Sequence, residues 1–191
     1  ILLYKKIFKK LVVAENIVSA EFSKILENTF RSVNIAFINE MKKISFAMKI
    51  NLIDAIRIAS TKPYGFMPFY PGPGVGGHCI PIDPIYLSWK AKKIGVSLDF
   101  IKLSEKINSD NILRINSTVK NELNKIKSKK KSILLLGLAY KKNIDDLRES
   151  PTLKIMNYLK KNKIKFFYND PFIKELKPTR DFKFNLRSKK L

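Results

Sequence analysis

One stretch, residues 71–84, holds the residue types with the greatest capacity for chemistry in this chain. It contains the only cysteine, Cys79, the only histidine, His78, four of the seven glycines and four of the nine prolines. Glycine and proline disfavour helices and regular strands, so a shaped loop that lets backbone approach a ligand is predicted. The thiol lies four residues before a carboxylate, Asp83. This loop is therefore the first candidate site.

The residues alone leave two interpretations of Cys79 open. A lone cysteine can be an inert buried side chain. Cys79 instead follows a Gly-Gly pair and precedes an expected helix N-terminus, which favours a thiolate and a nucleophilic role. No metal site is predicted, because no second cysteine or histidine exists to complete one.

The two polar neighbours of Cys79 also have alternative roles. Adjacent side chains usually point apart, so His78 is interpreted first as loop structure and second as a ligand contact. Asp83 precedes Pro84, which suits the first helical position, so Asp83 is expected to cap a helix. It could also orient a base or a water molecule, and the two roles are compatible.

Two further groups of polar residues are candidates by spacing. Lys24, Asn28 and Arg31 share one face of a predicted helix; they form a solvated stripe unless that face meets the loop. Arg148 and Lys141 follow a predicted strand that ends at a glycine, a place suited to phosphate capture. The G-x-G-x-x-G fingerprint of a dinucleotide site is missing there.

Hydrophobic periodicity indicates which elements position these residues. It predicts helices over about residues 19–49, with Ser19 as N-cap, from residue 51, with Asn51 as N-cap, and over about 83–95 and 98–126. The apolar stripe of the first helix consists of Phe22, Ile25, Leu26, Thr29, Val33, Phe37, Met41, Ile44 and Met48.

A change of texture follows the polar linker of residues 127–131. Residues 132–137 predict a buried parallel strand, 151–161 a helix and 164–168 a second strand, which together make a βαβ unit. Two strands do not form a stable sheet alone. We therefore expect the second domain to be partial.

Composition restricts the class of protein and its partners. The chain has 191 residues, of which 45% are hydrophobic, and a net charge of +22. This excludes general disorder; the single cysteine fits a reducing, cytoplasmic compartment, and no signal or membrane segment is predicted. The charge favours polyanions, but the lysines are spread along the whole chain, so compositional drift explains them equally and nucleic acid is the less favoured partner.

Three stretches resemble the UDP-glucose/GDP-mannose dehydrogenase family, and within it most nearly the UDP-N-acetylglucosamine 6-dehydrogenases. They are residues 27–36 (ENTFRSVNIA), 61–84 (TKPYGFMPFYPGPGVGGHCIPIDP) and 137–151 (GLAYKKNIDDLRESP). The resemblance implies oxidation of the C6 alcohol of a UDP-sugar, UDP-N-acetylglucosamine first, to a uronic acid for surface polysaccharides, with NAD as cofactor.

The same resemblance implies a role for each matching residue. Cys79 would form the thiohemiacetal and thioester, Lys24 and Asn28 would stabilise the oxyanion, and Asp83 would assist proton transfer. Arg148 would contact NAD. Substrate binding would fall to Tyr70, Gly74, Gly76, Gly77, Arg31, Tyr140 and Lys141.

The resemblance also predicts how the chain is organised. Residues 1–18 would be a remnant of a preceding domain, 19–127 an all-α central dimerisation domain with the catalytic loop at 68–84, and 128–191 a partial Rossmann-like α/β domain that binds UDP. The dinucleotide-binding domain of the family is not recognised, so we expect a fragment that is inactive alone. The expected partners are a UDP-sugar and a second copy of the chain, and no membrane. A basic nucleic-acid-binding module and an inert helical dimer are the alternatives.

Overall fold

The structure, a computed structural model, describes residues 2–128 and 130–191. Ile1 of the predicted remnant and Lys129 of the predicted linker lie outside the described residues. The expected mixed architecture is confirmed: a helical region is followed by a small α/β region. The helices are α1 Leu2–Lys5, α2 Ile17–Ala47, α3 Leu52–Ala59, α4 Asp83–Lys93, α5 Asp99–Lys125 and α6 Pro151–Lys161, and the strands are β1 Ser132–Leu136, β2 Lys165–Asn169, β3 Glu175–Leu176 and β4 Leu186–Arg187.

Helix α2 begins two residues earlier than predicted. The side chain of Asn16, not that of Ser19, caps it: Asn16 Oδ1 accepts a hydrogen bond from the Ser19 N–H at 2.8 Å. Asparagine is as good a cap as serine, and here it satisfies one of the unpaired amides of the first turn. The predicted cap of α3 is confirmed, because Asn51 Oδ1 accepts from the amides of Ile53 and Asp54.

The predicted apolar stripe of α2 is largely exposed, and the opposite, more polar face is buried. Asn28, Ser32, Ala36 and Asn39 lie on the buried face, which packs against α4 and α5. Hydrogen bonds replace apolar contacts there; for example, Asn108 Nδ2 donates to the Ser32 carbonyl at 3.0 Å. Polar side chains are stable inside a protein when they are paired in this way.

The α/β region contains the predicted βαβ unit. Strands β1 and β2 pair in parallel, from Ser132 opposite Lys165 to Leu136 opposite Asn169. The prediction that β1 is fully buried is wrong, because alternate residues are exposed and only one face of the two-stranded sheet is covered. The antiparallel pair β3–β4 was not predicted, and it helps to close a core of Leu138, Leu153, Met156, Tyr168, Ile173, Leu176 and Phe184.

Within residues 2–128 and 130–191, no helix combines the length and the apolar character that crossing a membrane would require.

Candidate functional site

A cavity of about 420 Å³ brings most of the predicted site residues together, although they come from three distant parts of the sequence. Helix α2, the Cys79 loop and the segment after β1 form its walls. Among the described residues, no carboxylate belongs to the lining. The lining residues are Lys24, Asn28, Arg31, Gly76, Gly77, His78, Cys79, Ile80, Tyr140, Lys141 and Arg148.

The thiol of Cys79 is exposed and unbridged, which excludes the inert buried cysteine. Its carbonyl accepts hydrogen bonds from the amides of Ile82 at 3.0 Å and Asp83 at 2.8 Å, so a tight turn joins Cys79 to the first residue of α4. The side chain therefore lies at the N-terminal end of an 11-residue helix, where the positive end of the helix dipole favours a thiolate.

Asp83 does not cap α4, contrary to prediction. It is the first helical residue, Ile82 takes the cap position, and no side chain caps the helix. The Asp83 carboxylate instead accepts a hydrogen bond from Nδ2 of Asn28 at 2.6 Å. This contact crosses from α2 to α4, and Asn28 is 1% exposed. The buried amide thus links the lysine-bearing helix to the end of the Cys79 loop.

Lys24 and Arg31 reach the cavity together through Glu27, a residue that sequence reasoning missed. Lys24 Nζ lies 2.9 Å from Glu27 Oε2, and Arg31 pairs with the other carboxylate oxygen. The hydrogen bond from Lys24, assisted by the charge of Arg31, lowers the pKa of Glu27 below its ordinary value. The spacing i−3 and i+4 from the two cations was the signal for Glu27.

The paired glycines are required by close contact with the second region. A Cβ on Gly76 would lie 2.5 Å from Cβ of Tyr140, and a Cβ on Gly77 would lie 2.8 Å from the Tyr140 ring. Gly77 also has φ +88°, which favours glycine. Its N–H donates to the Arg148 carbonyl at 2.9 Å. These contacts hold the Cys79 loop against the segment that carries Tyr140, Lys141 and Arg148.

That second segment is itself held by two buried side chains. Asp170 Oδ2 accepts from the Leu138 N–H at 2.7 Å, and Ser150 Oγ donates to the Leu138 carbonyl at 2.6 Å. Burial raises the pKa of Asp170, but hydrogen bonds from the amides of Leu138, Phe172, Ile173 and Ala139 outweigh it and leave the pKa below its ordinary value.

Three predicted residues do not line the cavity. Asp83 reaches it only through Asn28. Gly74 lies against Ile112 and Pro151, with φ +155°. Tyr70 has a largely exposed side chain. His78 lines the cavity, so the structure brings the histidine to the site as well as the thiol.

The described residues do not form a cradle for the dinucleotide that the resemblance implies. The segment after β1 lacks the glycine fingerprint. Arg148, the predicted cofactor contact, is paired with Asp146 through Nη2 and Oδ2 at 2.6 Å. This hydrogen bond raises the pKa of Arg148 and lowers that of Asp146. Among residues 2–128 and 130–191, no cluster of three potential ligands could hold a metal ion.

Comparison with known families and structures assigns both regions. Residues 18–110 match the central domain of the UDP-glucose/GDP-mannose dehydrogenase family, and residues 134–189 match its UDP binding domain. A solved structure of a UDP-N-acetyl-D-mannosamine dehydrogenase from Pyrococcus horikoshii is similar, with a TM-score of 0.80 and 36% identity over 89% of this chain and 40% of that one.

Two curated relatives differ in the substrate that their names give. The UDP-N-acetyl-D-mannosamine dehydrogenase of Methanococcus maripaludis is 37% identical over 83% of this chain and 37% of the relative. The UDP-N-acetyl-D-glucosamine 6-dehydrogenase of Pseudomonas aeruginosa is also 37% identical, over 84% of this chain and 38% of the relative. The chain thus spans less than two fifths of the length of either protein.

Proposed function

The chain belongs to the UDP-glucose/GDP-mannose dehydrogenase family, and on that premise we propose that it carries the sugar-nucleotide site and the cysteine nucleophile of a UDP-sugar dehydrogenase. One observation carries the proposal: the cavity joins an exposed thiol to four cationic side chains, and no carboxylate is among its described lining residues. Such a site favours a ligand that combines a diphosphate with an electrophilic carbon.

The diphosphate would bind on the side of the cavity formed by the second region. Lys141 makes no ion pair with any described residue, so its ammonium group can meet a phosphate oxygen without losing a partner. The Tyr140 ring, packed on the two glycines, would form the adjoining wall. Guanidinium and ammonium groups are the usual partners of phosphate.

The chemistry proposed for Cys79 is addition to an aldehyde at C6. The thiolate sulfur forms a bond to the carbonyl carbon, and the π electrons pass to the oxygen as a negative charge. Lys24, on the same wall of the cavity, would stabilise that charge. Glu27 keeps the lysine charged and oriented. Asn28, oriented by Asp83, would supply an amide dipole to the same oxygen.

The two oxidation steps that the resemblance implies need NAD, for which the described residues form no cradle. The proposal for this chain therefore covers binding of the sugar nucleotide and addition of the thiol, and it assigns no step to the dinucleotide.

UDP-N-acetylglucosamine is the substrate that we propose first, and its C2 epimer UDP-N-acetylmannosamine is the competitor. The names of the relatives support a UDP-N-acetylhexosamine and divide between these two sugars. A cytoplasmic location belongs to the same proposal, because a reducing compartment keeps the Cys79 thiol free.

Protection of the thiol tests the proposed function. Because Cys79 is the only cysteine, the rate of alkylation by iodoacetamide reports on this site alone. UDP-N-acetylglucosamine, UDP-N-acetylmannosamine, UDP and inorganic phosphate are compared as protecting ligands, and Cys79→Ser is the blank. We expect both sugar nucleotides to slow the reaction more than UDP does. An alkylation rate that no UDP compound changes would contradict the proposal.

A homodimer is the proposed assembly. Phe22, Leu26, Phe30, Phe37 and Ile44 follow one face of α2, and each is close to half exposed or more. An apolar stripe of this length on a helix otherwise packed through its polar face is typical of an interface between protein chains.

Nucleic-acid binding is a second candidate function that one observation favours. A cleft of about 380 Å³ at the ends of α5 and α6 is lined by lysines and by no described carboxylate. A neighbouring cleft shares Ile164 and Lys165 with it. The lysines of the two clefts are Lys120, Lys131, Lys163, Lys165, Lys160 and Lys183.

Fluorescence anisotropy with a labelled single-stranded oligonucleotide distinguishes a specific cleft from general charge. Gln at Lys120, Lys163 and Lys165 is compared with Gln at three exposed lysines elsewhere, Lys42, Lys90 and Lys92. If the cleft binds the strand, only the first variant weakens binding, and the salt dependence falls by about 0.7 per lost phosphate contact. Equal weakening by the two variants would mean that net charge alone is responsible.

A further inference from the structure

Both backbone polar groups of Gly72 are held by buried asparagines from two different helices. The Gly72 N–H donates to Oδ1 of Asn39 on α2 at 3.0 Å, and the Gly72 carbonyl accepts from Nδ2 of Asn111 on α5 at 2.7 Å. Asn39 is 1% exposed and Asn111 is 7% exposed. Since Pro71 and Pro73 have no amide hydrogen, Gly72 offers the only backbone donor of this three-residue segment.

These bonds form the first of three anchors of the Cys79 loop. The second is the bond from the Gly77 N–H to the Arg148 carbonyl, and the third is the bond from Asn28 to Asp83. Cys79 lies between the second and third anchors. The first anchor orients the chain that leads into Gly76 and Gly77, which line the cavity.

We propose that Asn39 and Asn111 are positioning residues that hold the loop in the shape that presents the Cys79 thiol to the cavity. Neither residue lines the cavity. Their effect on ligand binding rests on the proposed function, whereas their effect on the thiol does not.

The two asparagines act through opposite hydrogen-bonding groups. Asn39 contributes its acceptor, and its Nδ2 is buried without a hydrogen-bond partner among the described residues. Asn111 contributes its donor. Replacement by the isosteric aspartate keeps the acceptor at position 39 but removes the donor at position 111, where a carboxylate would face a carbonyl oxygen. The anchor therefore predicts that Asn111→Asp is much more harmful than Asn39→Asp.

This order is the reverse of what burial alone predicts. A new charge is more costly at the more buried position, which is Asn39. If the asparagines only fill space, Asn39→Asp should be the worse variant, and the relative effect of the two substitutions therefore separates a positioning role from simple packing.

The rate of iodoacetamide modification of Cys79 measures the outcome. We expect Asn111→Asp to change the rate by about tenfold, the size expected for the loss of one buried hydrogen bond, and Asn39→Asp to change it by less than about twofold. Gly72→Ala is the control, because its Cβ would meet no atom within 4 Å and both backbone bonds remain. Equal effects of the two aspartates, or a larger effect of Asn39→Asp, would overturn the proposal.

Two additional measurements keep the outcome decisive. If Asn111→Asp does not fold, as judged by circular dichroism, Asn111→Ala removes the donor without adding charge and is compared with Ser109→Ala on the exposed side of α5. An unchanged alkylation rate in Asn111→Ala would then reject the proposal. Protection by UDP-N-acetylglucosamine is recorded in parallel. If wild type is not protected, the proposed function fails, while the order of the alkylation rates still decides the role of the asparagines.

Discussion

Asn28 Nδ2 donates to Oδ2 of Asp83 across 2.6 Å, and this bond ties the middle of α2 to the first residue of α4. It joins two residues that the sequence places 55 positions apart. Cys79 lies four residues before the end of this connection, so the bond fixes the C-terminal side of the loop.

Asn28→Asp is expected to destabilise the fold most at neutral pH. Two carboxylates would then face each other, and the loss of one buried hydrogen bond costs about 1–3 kcal/mol before their repulsion is added. Below about pH 4 one carboxyl is protonated and can donate, so the loss shrinks. Urea unfolding at both pH values measures this. Asn34→Asp adds the same charge to α2 and is the control; if it loses equal stability, the Asn28–Asp83 contact is not the cause.

Gly76→Ala and Gly77→Ala are expected to separate the Cys79 loop from Tyr140. The added methyl groups would lie 2.5 Å from Tyr140 Cβ and 2.8 Å from its ring, and overpacking of this kind costs about 1–3 kcal/mol. Urea unfolding and alkylation of Cys79 are the measurements. Gly72→Ala, in open space, should behave as wild type. Wild-type stability in Gly76→Ala would show that the two segments do not touch.

Asp170 is expected to make stability depend on pH in the acid range. Its folded-state pKa is lowered, so its contribution is complete above the unfolded value of about 3.9 and is lost as the pH falls through the folded value. Asp170→Asn should therefore be less stable than wild type at pH 7, and the difference should close towards pH 3. Exposed Asp181→Asn is the control. A difference that does not vary with pH would assign the effect to packing.

Charges on the exposed stripe of α2 are expected to dissociate the proposed dimer. Phe37→Glu combined with Ile44→Glu places carboxylates in an apolar contact, where an unpaired charge is strongly disfavoured. Light scattering coupled to size-exclusion chromatography should show a monomer for this variant and a dimer for wild type. Ser117→Glu on α5 is the control for added charge. A monomeric wild-type protein at high concentration would contradict the dimer.

The chain alone is not expected to sustain NADH production from UDP-N-acetylglucosamine and NAD. The reason is the missing glycine cradle after β1 together with the pairing of Arg148 to Asp146. Absorbance at the NADH band over many turnovers tests this, with denatured protein as the blank. Continued accumulation of NADH would mean that the described residues bind the dinucleotide after all.

The sequence predicted local features of the fold better than the contacts between them. Helix α6 has the predicted bounds, α5 and α3 lie within one residue of prediction, and the parallel βαβ unit was expected. Helix propensity, capping and apolar spacing act over a few residues and can be recognised directly. Ser19 and Asp83 were assigned as caps wrongly, because another residue or a distant amide offered a better partner.

Part of the candidate site could likewise be expected from sequence. The loop composition and the motifs around Cys79, Lys24 and Lys141 pointed to residues that do line one cavity. Glu27, Asn39 and Asn111 were missed. Asn28, Ser32 and Asn39 form a polar stripe on the face of α2 opposite the apolar one, and that stripe was the available signal for Asn39.

By itself, the sequence determined the helix lengths, the irregular loop of residues 71–84 and the identity of the reactive groups, since each depends on neighbours along the chain. Tertiary structure alone decided which face of α2 is buried. An amphipathic pattern defines two faces, but α5 supplied asparagine partners for the polar one. Packing also brought Tyr140 onto the glycines beside Cys79, a contact between residues more than sixty positions apart that no local preference encodes.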